Sequence, residues 1–255
     1  MIKTLVQKLA RSLGYEIVPM WRMEDLHFTG HLRQMFGMLN IKVVLDVGAN
    51  TGQYRDFLRN HVGFDGCIVS FEPVPELVAT LRERASGDAN WHVYPWALGS
   101  SNTEAMINVM QRSQFSSFLT PENSMQPAFS DVNVVERQER VEIKRLDSVY
   151  ETITAALPSG GVYLKMDTQG CDLDVVEGAS GILDRIAMLQ TEVSVLPIYS
   201  DMPDYHTSLT TLSALGFDVT GMFPVSRDEY LRLIEFDCVM LNRKIGLTHR
   251  SVSAI

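Results

Sequence analysis

Residues 41–54 read IKVVLDVGANTGQY, an apolar run rich in β-branched residues that stops at an acid and two glycines. Such a run suits a strand buried on both faces, as in a parallel sheet. Gly48 and Gly52 flank a tight turn in which the backbone can approach another group closely. Tyr54, Phe57 and Leu58 then recur at helical spacing. In open α/β sheets, ligands sit outside the carboxyl ends of the strands. Asp46 and the glycine turn therefore stand where a site would be.

Outward from this stretch the pattern repeats. GCIVSFEP (66–73) is a second apolar run, ending at Glu72 and Pro73. Residues 75–86 form a helix with Pro75 in its first turn. WHVYPWALG (91–99) is a third strand with its exit. Strand, helix, strand, helix, strand predicts a parallel sheet with right-handed crossovers. Further on, VYLKM (162–166) ends at Asp167, and Gly170 leads into a helix over 172–184. A strand over 187–194, a helix over 206–215 and two closing strands (217–223 and 235–243) complete the order, the last two as an antiparallel pair at the far side of the sheet. Between the halves, residues 103–110 and 134–146 alternate like exposed strands, and the Ser-, Gln- and Pro-rich stretch 111–131 between them reads as a long loop over a site.

The three strand-end acids, Asp46, Glu72 and Asp167, should share one edge of the sheet. A carboxylate ahead of the glycines repels phosphate and suits a cation, and the turn lacks the G-x-G-x-x-G spacing that seats a pyrophosphate. A ligand bearing a sulfonium and an ammonium, such as S-adenosylmethionine, fits that description. Glu72, 26 residues after Asp46, stands where an acid accepts hydrogen bonds from ribose hydroxyls. Gly48, Ala49, Asn50 and Gly52 would supply the turn around the cofactor, with Pro73 beside it and Trp96 and Ala97 flanking the adenine. The plainer alternatives are a strand-to-helix turn without a ligand and an indole packed as core.

The motifs VVLDVGANTGQY, SFEPVPE, ALGS, SSFL, RLDSV, LKMDTQGCDLDVVEGA and TEVSVLPIYSD follow one another in the order seen in FkbM-type methyltransferases. The resemblance runs from about Ile41 to Asn242. It implies the class I, Rossmann-like three-layer α/β sandwich, with a mostly parallel seven-stranded sheet and an antiparallel last strand. It further implies S-adenosylmethionine as cofactor and methyl transfer to an oxygen of a sugar, polysaccharide or natural product. On that reading residues 41–243 are the methyltransferase domain with an insertion at about 103–146, residues 1–40 a helical extension and 244–255 a tail. Ser116 and Ser117 match the family's paired serines.

An attacking hydroxyl must lose a proton. Asp167, Glu192 and His206 are the candidate bases, and Asp167 is also a candidate partner for the cofactor's ammonium. With Asp147 the acids could hold a divalent ion, but no dense carboxylate cluster is visible and a metal-free reaction is preferred. Asp147 reads equally well as the N-cap of a helix over 148–156. His27 and His31 lack a third metal ligand, and Cys171 lacks a histidine partner.

Composition narrows the remaining classes. The 255 residues, 45% hydrophobic and 21% charged, suit one large domain. A net charge of −9 argues against nucleic acid as a partner. Three scattered cysteines fit a reducing cytoplasm. Ile2, Leu5, Val6, Leu9 and Leu13 share a helical face beside Lys3, Lys8 and Arg11. That helix would pack on the domain or, as a basic amphipathic element within residues 1–20, touch the inner face of a membrane. A nicotinamide-dependent oxidoreductase and a non-catalytic cofactor-binding scaffold are the competing functions. The oligomeric state is left open.

Overall fold

The computed structural model describes residues 25–122 and 134–248, together with Ala10, Ser12 and Leu13. The basic amphipathic helix expected within residues 1–20 and the segment 123–133 of the expected loop lie outside the described residues. Helix α1 (Asp25–Met38) leads into strand β1 (Ile41–Val47), helix α2 (Gln53–Phe57, continued by one wider turn over Leu58–Val62) and strand β2 (Cys67–Phe71). Helix α3 (Pro75–Ala85) and strands β3 (Trp91–Tyr94), β4 (Ala97–Leu98) and β5 (Thr103–Met110) follow. Strand β6 (Val135–Lys144), helix α4 (Leu146–Thr154), strand β7 (Gly161–Met166), helix α5 (Asp172–Gly178) and strand β8 (Ile186–Ser194) come next. Helix α6 (Tyr205–Ala214), strands β9 (Phe217–Arg227) and β10 (Leu233–Asn242) and helix α7 (Arg243–Thr248) close the chain.

Seven strands form one sheet in the order β3-β2-β1-β7-β8-β10-β9. Every neighbouring pair from β3 to β8 is parallel, whereas β10 lies antiparallel between β8 and β9. The expected antiparallel closing pair is therefore present at the far side.

Alternate residues of the inner strands enter two cores, as the period of two requires. Val43, Leu45 and Val47 of β1 pack with Leu164 of β7 against Leu146 and Tyr150 of α4, Val175 of α5 and Leu212 of α6. Ile41, Val44 and Tyr163 pack on the other face against Leu32 and Phe36 of α1, Leu58, and Leu81 of α3. The result is a three-layer sandwich. Its inner strands read as unbroken apolar runs because both faces are covered.

Four expectations need correction. The run 91–99 is two strands: β3 joins the large sheet, while β4 pairs with β6 in a second sheet of order β4-β6-β5. Pro95 lies between them, and Pro cannot donate to a ladder. The helix after Gly170 ends at Gly178, well short of residue 184. A side chain at Gly178 would strike the Gly99 carbonyl, so the helix end sits flush against the neighbouring turn. Residues 25–38 belong to one layer of the sandwich through Leu32, Met35 and Phe36, so the region expected as an extension contributes core. Residues 243–248 form α7, so the expected tail begins as a helix, and its remainder, 249–255, lies outside the described residues.

Candidate active site

Parallel pairing places Asp46 beside Ser70 and Lys165, which brings the ends of β1, β2 and β7 to one edge. A cavity of about 810 Å³ opens over that edge, within the size range of small-molecule sites. Gly48, Ala49, Asn50, Glu72, Pro73, Trp96, Ala97, Asp167 and Glu192 all line it.

The β1 turn depends on glycine. Gly48 has φ +77°, and a Cβ there would lie 2.0 Å from the Asp167 carbonyl oxygen. The turn therefore brings the tip of β1 hard against the tip of β7. The Gly48 and Ala49 N–H groups both donate to the Phe71 carbonyl, which ties the turn to β2 as well. Gly52 (φ +88°) does not line the cavity. A side chain there would meet the Trp91 ring, so its role is in packing.

Glu72 is buried, with Oε2 accepting the Asn50 N–H (2.8 Å) and Oε1 the Val74 N–H (3.0 Å). Burial pushes this carboxyl up to about 7 against those stabilising hydrogen bonds. Each of its oxygens retains a lone pair for a further donor. Trp96 stacks on Tyr94 (4.9 Å between ring centroids) and lines the cavity beside Ala97.

Asp46 is placed differently from the expectation. It is fully buried and does not line the cavity. The cation it faces belongs to the protein, since Lys165 Nζ lies 3.4 Å from Asp46 Oδ1 and 3.4 Å from Asp167 Oδ2. Ser70 donates to the other Asp46 oxygen, and Trp91 Nε1 donates to Ser70. Desolvation raises the Asp46 pKa, with Lys165 opposing. Burial lowers that of Lys165, and the four acids Asp167, Asp46, Asp237 and Glu192 more than offset it.

Beyond Asp167 the polar wall continues. Gln169 holds a left-handed backbone (φ +54°), and its Nε2 donates to Asp167 Oδ1 (3.0 Å) and to Glu192 Oε2 (2.7 Å). Its Oε1 accepts from Tyr199, and its backbone carbonyl accepts from Ser117 (2.8 Å). Ser117 thus ties the loop after β5 to the site, while the Ser116 hydroxyl receives the Met110 N–H. Glu192 is raised well above the usual carboxyl range by desolvation and by its neighbours Asp167, Glu235 and Asp237. Asp237, on the antiparallel β10, rises to about 7 for the same reasons, opposed by a hydrogen bond to Gln190 and by Lys165. Gln190 also accepts hydrogen bonds from Tyr54 and Tyr163. Phe28, Phe57 and Phe223 form an aromatic wall, with Phe28 lying 5.3 Å from Phe57 and 4.8 Å from Phe223.

His206 is exposed at the start of α6, its ring on Tyr205, and it does not line the cavity. The expectation that it supplies a base does not fit that placement. Asp147 does not cap α4. It lies in the first turn, where it accepts from Arg145 and from the Gly181 N–H. His31 bonds to Thr220, and Cys171 is buried with its thiol pushed up to about 12 by desolvation. Among the described residues no group of three or more His, Cys, Asp or Glu side chains is arranged to hold a metal ion.

Sequence reasoning passed over Lys165, Gln169, Gln190 and Asp237. The available signal was a polar residue at an inward position of an apolar strand: Lys165 in VYLKM, Gln190 in MLQTEV and Asp237 in EFDCVML.

This sheet order, with β10 antiparallel between β8 and β9 and the cavity at the carboxyl ends of β1, β2 and β7, defines a class I S-adenosylmethionine-dependent methyltransferase. The residues present fit that cofactor. Glu72 offers lone pairs for ribose hydroxyls, Trp96 offers a ring for adenine, and among the described residues no arginine lines the cavity to meet a pyrophosphate. The chain belongs to the FkbM methyltransferases, since the model of the methyltransferase FkbM domain matches residues 46–219. That membership sets aside the nicotinamide oxidoreductase.

No curated protein matches the sequence significantly. Among solved structures the chain is similar to Aeropyrum pernix fibrillarin with natively bound S-adenosyl-L-methionine, at 11% identity and a TM-score of 0.44, covering 78% of this chain and 66% of that one. It is also similar to a SAM-dependent methyltransferase from Aquifex aeolicus (15%, 0.42, covering 94% and 97%). A third is the precorrin-6y C5,15-methyltransferase from Geobacter metallireducens (10%, 0.42, 88% and 92%). At these values the likenesses bear on neither acceptor nor chemistry. Among the described residues no helix is long and apolar enough to cross a membrane.

Proposed function

We propose that the protein transfers a methyl group to a hydroxyl of a sugar, a polysaccharide or a hydroxylated natural product. The observation that carries this reading is the composition of the wall beyond Asp167. Carboxyl and amide groups (Asp167, Gln169, Glu192, Asp237) face the same cavity as the rings of Phe28, Phe57 and Phe223. Carboxyl and amide groups pair with hydroxyls, while aromatic faces cover the apolar faces of a sugar ring.

When bound, S-adenosylmethionine supplies a methyl group on a sulfonium; the acceptor oxygen forms the new C–O bond as the C–S bond breaks, and that electron pair stays on sulfur. Glu72 and Trp96 hold the nucleoside end, and the Gly48 turn sets its distance from β7. We assign Asp167 to take the hydroxyl proton, because Lys165 and Gln169 fix its two oxygens and it remains 38% exposed toward the cavity. Glu192, whose carboxyl is raised by burial and by its acidic neighbours Asp167, Glu235 and Asp237, orients the acceptor by hydrogen bonding. Positioning and proton removal are the two contributions this chemistry asks of a protein.

The test is incubation with S-adenosylmethionine carrying a ¹³C-methyl group and a panel of glycosides and hydroxylated natural products. A methyl ether resonance in the product is expected. Label found only on nitrogen or carbon would overturn the reading. A scaffold without catalysis would bind the cofactor and label nothing.

A further inference from the structure

Among the described residues, the ionisable side chains that line the acceptor half are mostly acids. Asp167, Glu192 and Asp237 line it, and Glu235 lies close enough to Glu192 to raise its pKa. The opposing cation inside is Lys165, whose ammonium already sits between Asp46 and Asp167 and over the Tyr54 ring (5.1 Å). His27, exposed at the rim, is the other basic side chain among the lining residues. Among the described residues no arginine lines the cavity; Arg55 and Arg84 are bound to Asp88 and Asp56, and Arg112, exposed, adjoins the lining residue Ser113.

A phosphate or carboxylate brought into this space would meet the carboxyl groups of Asp167, Glu192 and Asp237 and, among the described lining residues, no arginine. Anion recognition in proteins relies on forked arginine pairs, lysines or helix ends aimed at the ligand. In a partly desolvated site, like charges without such partners repel strongly. An ammonium, in contrast, would find several acceptors. An uncharged polyol would also find acceptors, since its hydroxyls can donate to the free lone pairs of these carboxyl groups.

We infer that the acceptor is uncharged or cationic where it enters the cavity, such as a neutral glycoside or an amino sugar, and that sugar phosphates and nucleotide-linked sugars are excluded. This inference rests on the hydroxyl-transfer reading above and narrows it. Asp237 is the residue that sets the selection. It lies across from Phe223 on the neighbouring strand, on the side of the cavity away from the cofactor turn. Lys165 stabilises its charged form, while Asp167 and Asp172 oppose it.

The experiment uses matched sets of one hexose series as acceptors: methyl glycosides, 2-amino sugars, 6-phosphates and uridine-diphosphate sugars, each with ¹³C-methyl S-adenosylmethionine. Label is expected in the neutral or amino sets, at least 30-fold above the phosphorylated and nucleotide-linked sets (about 2 kcal/mol). Asp237→Asn should shrink that ratio at least fivefold, whatever its effect on the rate with the neutral acceptor. Comparable labelling of a phosphorylated or nucleotide-linked sugar would overturn the inference and leave the hydroxyl-transfer reading standing. An unchanged ratio in Asp237→Asn would remove Asp237 as its origin. No label in any set, with cofactor binding intact, would overturn the reading itself and the inference with it.

Discussion

The two halves of the cavity are built in different ways. The half over β1 and β2 is backbone and a single buried acid: a glycine turn that fits only because Gly48 has no side chain, and Glu72 held by two N–H groups. The half over β7, β8, β10 and β9 is a network of side chains, in which Lys165, Asp167, Gln169 and Glu192 fix one another. A backbone-built half tolerates little change and suits a ligand that never varies. A side-chain-built half can be altered one residue at a time without disturbing the fold, which suits an acceptor that differs between relatives. The difference separates two kinds of failure on mutation.

The largest expected effect lies in the side-chain half. Asp167→Asn should lower kcat by about 10²–10⁴-fold, the usual contribution of a positioned base. Single-turnover kinetics at saturating cofactor would measure it, and a loss under threefold would remove Asp167 from the chemistry. Gly48→Ala comes next. It combines a left-handed backbone with a contact into the Asp167 carbonyl, and strain of this kind costs about 1–3 kcal/mol. Thermal denaturation should show the loss, whereas an unchanged midpoint would mean that the β1–β7 contact relaxes without cost.

Gln169→Leu removes the bridge between Asp167 and Glu192 while keeping similar bulk. Hydrogen bonds to charged groups contribute about 1.5–3 kcal/mol, so kcat/KM should fall by roughly tenfold or more. A purely structural role would lower stability and leave the pH profile in place. A positioning role shifts the profile, because both carboxyls lose a shared donor, and Gln169→Asn should restore neither bond.

The smallest effect is a slope. Glu72, Glu235 and Asp237 each have a carboxyl raised to about 7 in the folded protein. Between about pH 4 and pH 7 the folded chain therefore holds protons that the unfolded chain has released. Stability from these groups is fully present below about pH 4 and is lost as the pH rises through 7. The melting temperature should accordingly fall from pH 6 to pH 8, by about 2–4 °C for each kcal/mol lost in a chain of this size. Asp237→Asn should flatten that slope, and an equal slope in the variant would place the effect elsewhere.

The same contrast explains what the sequence revealed. The parallel order, the strand-end acids and the glycine turn were legible because each leaves a local mark: an apolar run, an acid at its end, a glycine at a required position. Trp96 and Glu72 followed from their register with the first turn. Lys165, Gln190 and Asp237 were not legible, because a polar residue within an apolar strand shows its role only once its neighbours on other strands are known. In the sequence Asp46 reads as a ligand for an external cation, whereas the pairing of β1 with β7 puts Lys165 beside it. His206 carried a suitable chemistry on an exposed helix start, and chemistry alone did not place it in the cavity. The β3–β4 break turned on Pro95, a residue the apolar pattern ran straight across.

The division of labour between the halves is tested most directly by calorimetry with S-adenosylhomocysteine on three proteins: wild type, Gly48→Ala and Asp167→Asn. The account predicts one site per chain in the wild type, an affinity at least tenfold weaker in Gly48→Ala, and an affinity within about threefold of wild type in Asp167→Asn. Wild-type affinity in Gly48→Ala together with lost binding in Asp167→Asn would contradict it, placing the cofactor over β7 and the acceptor over β1.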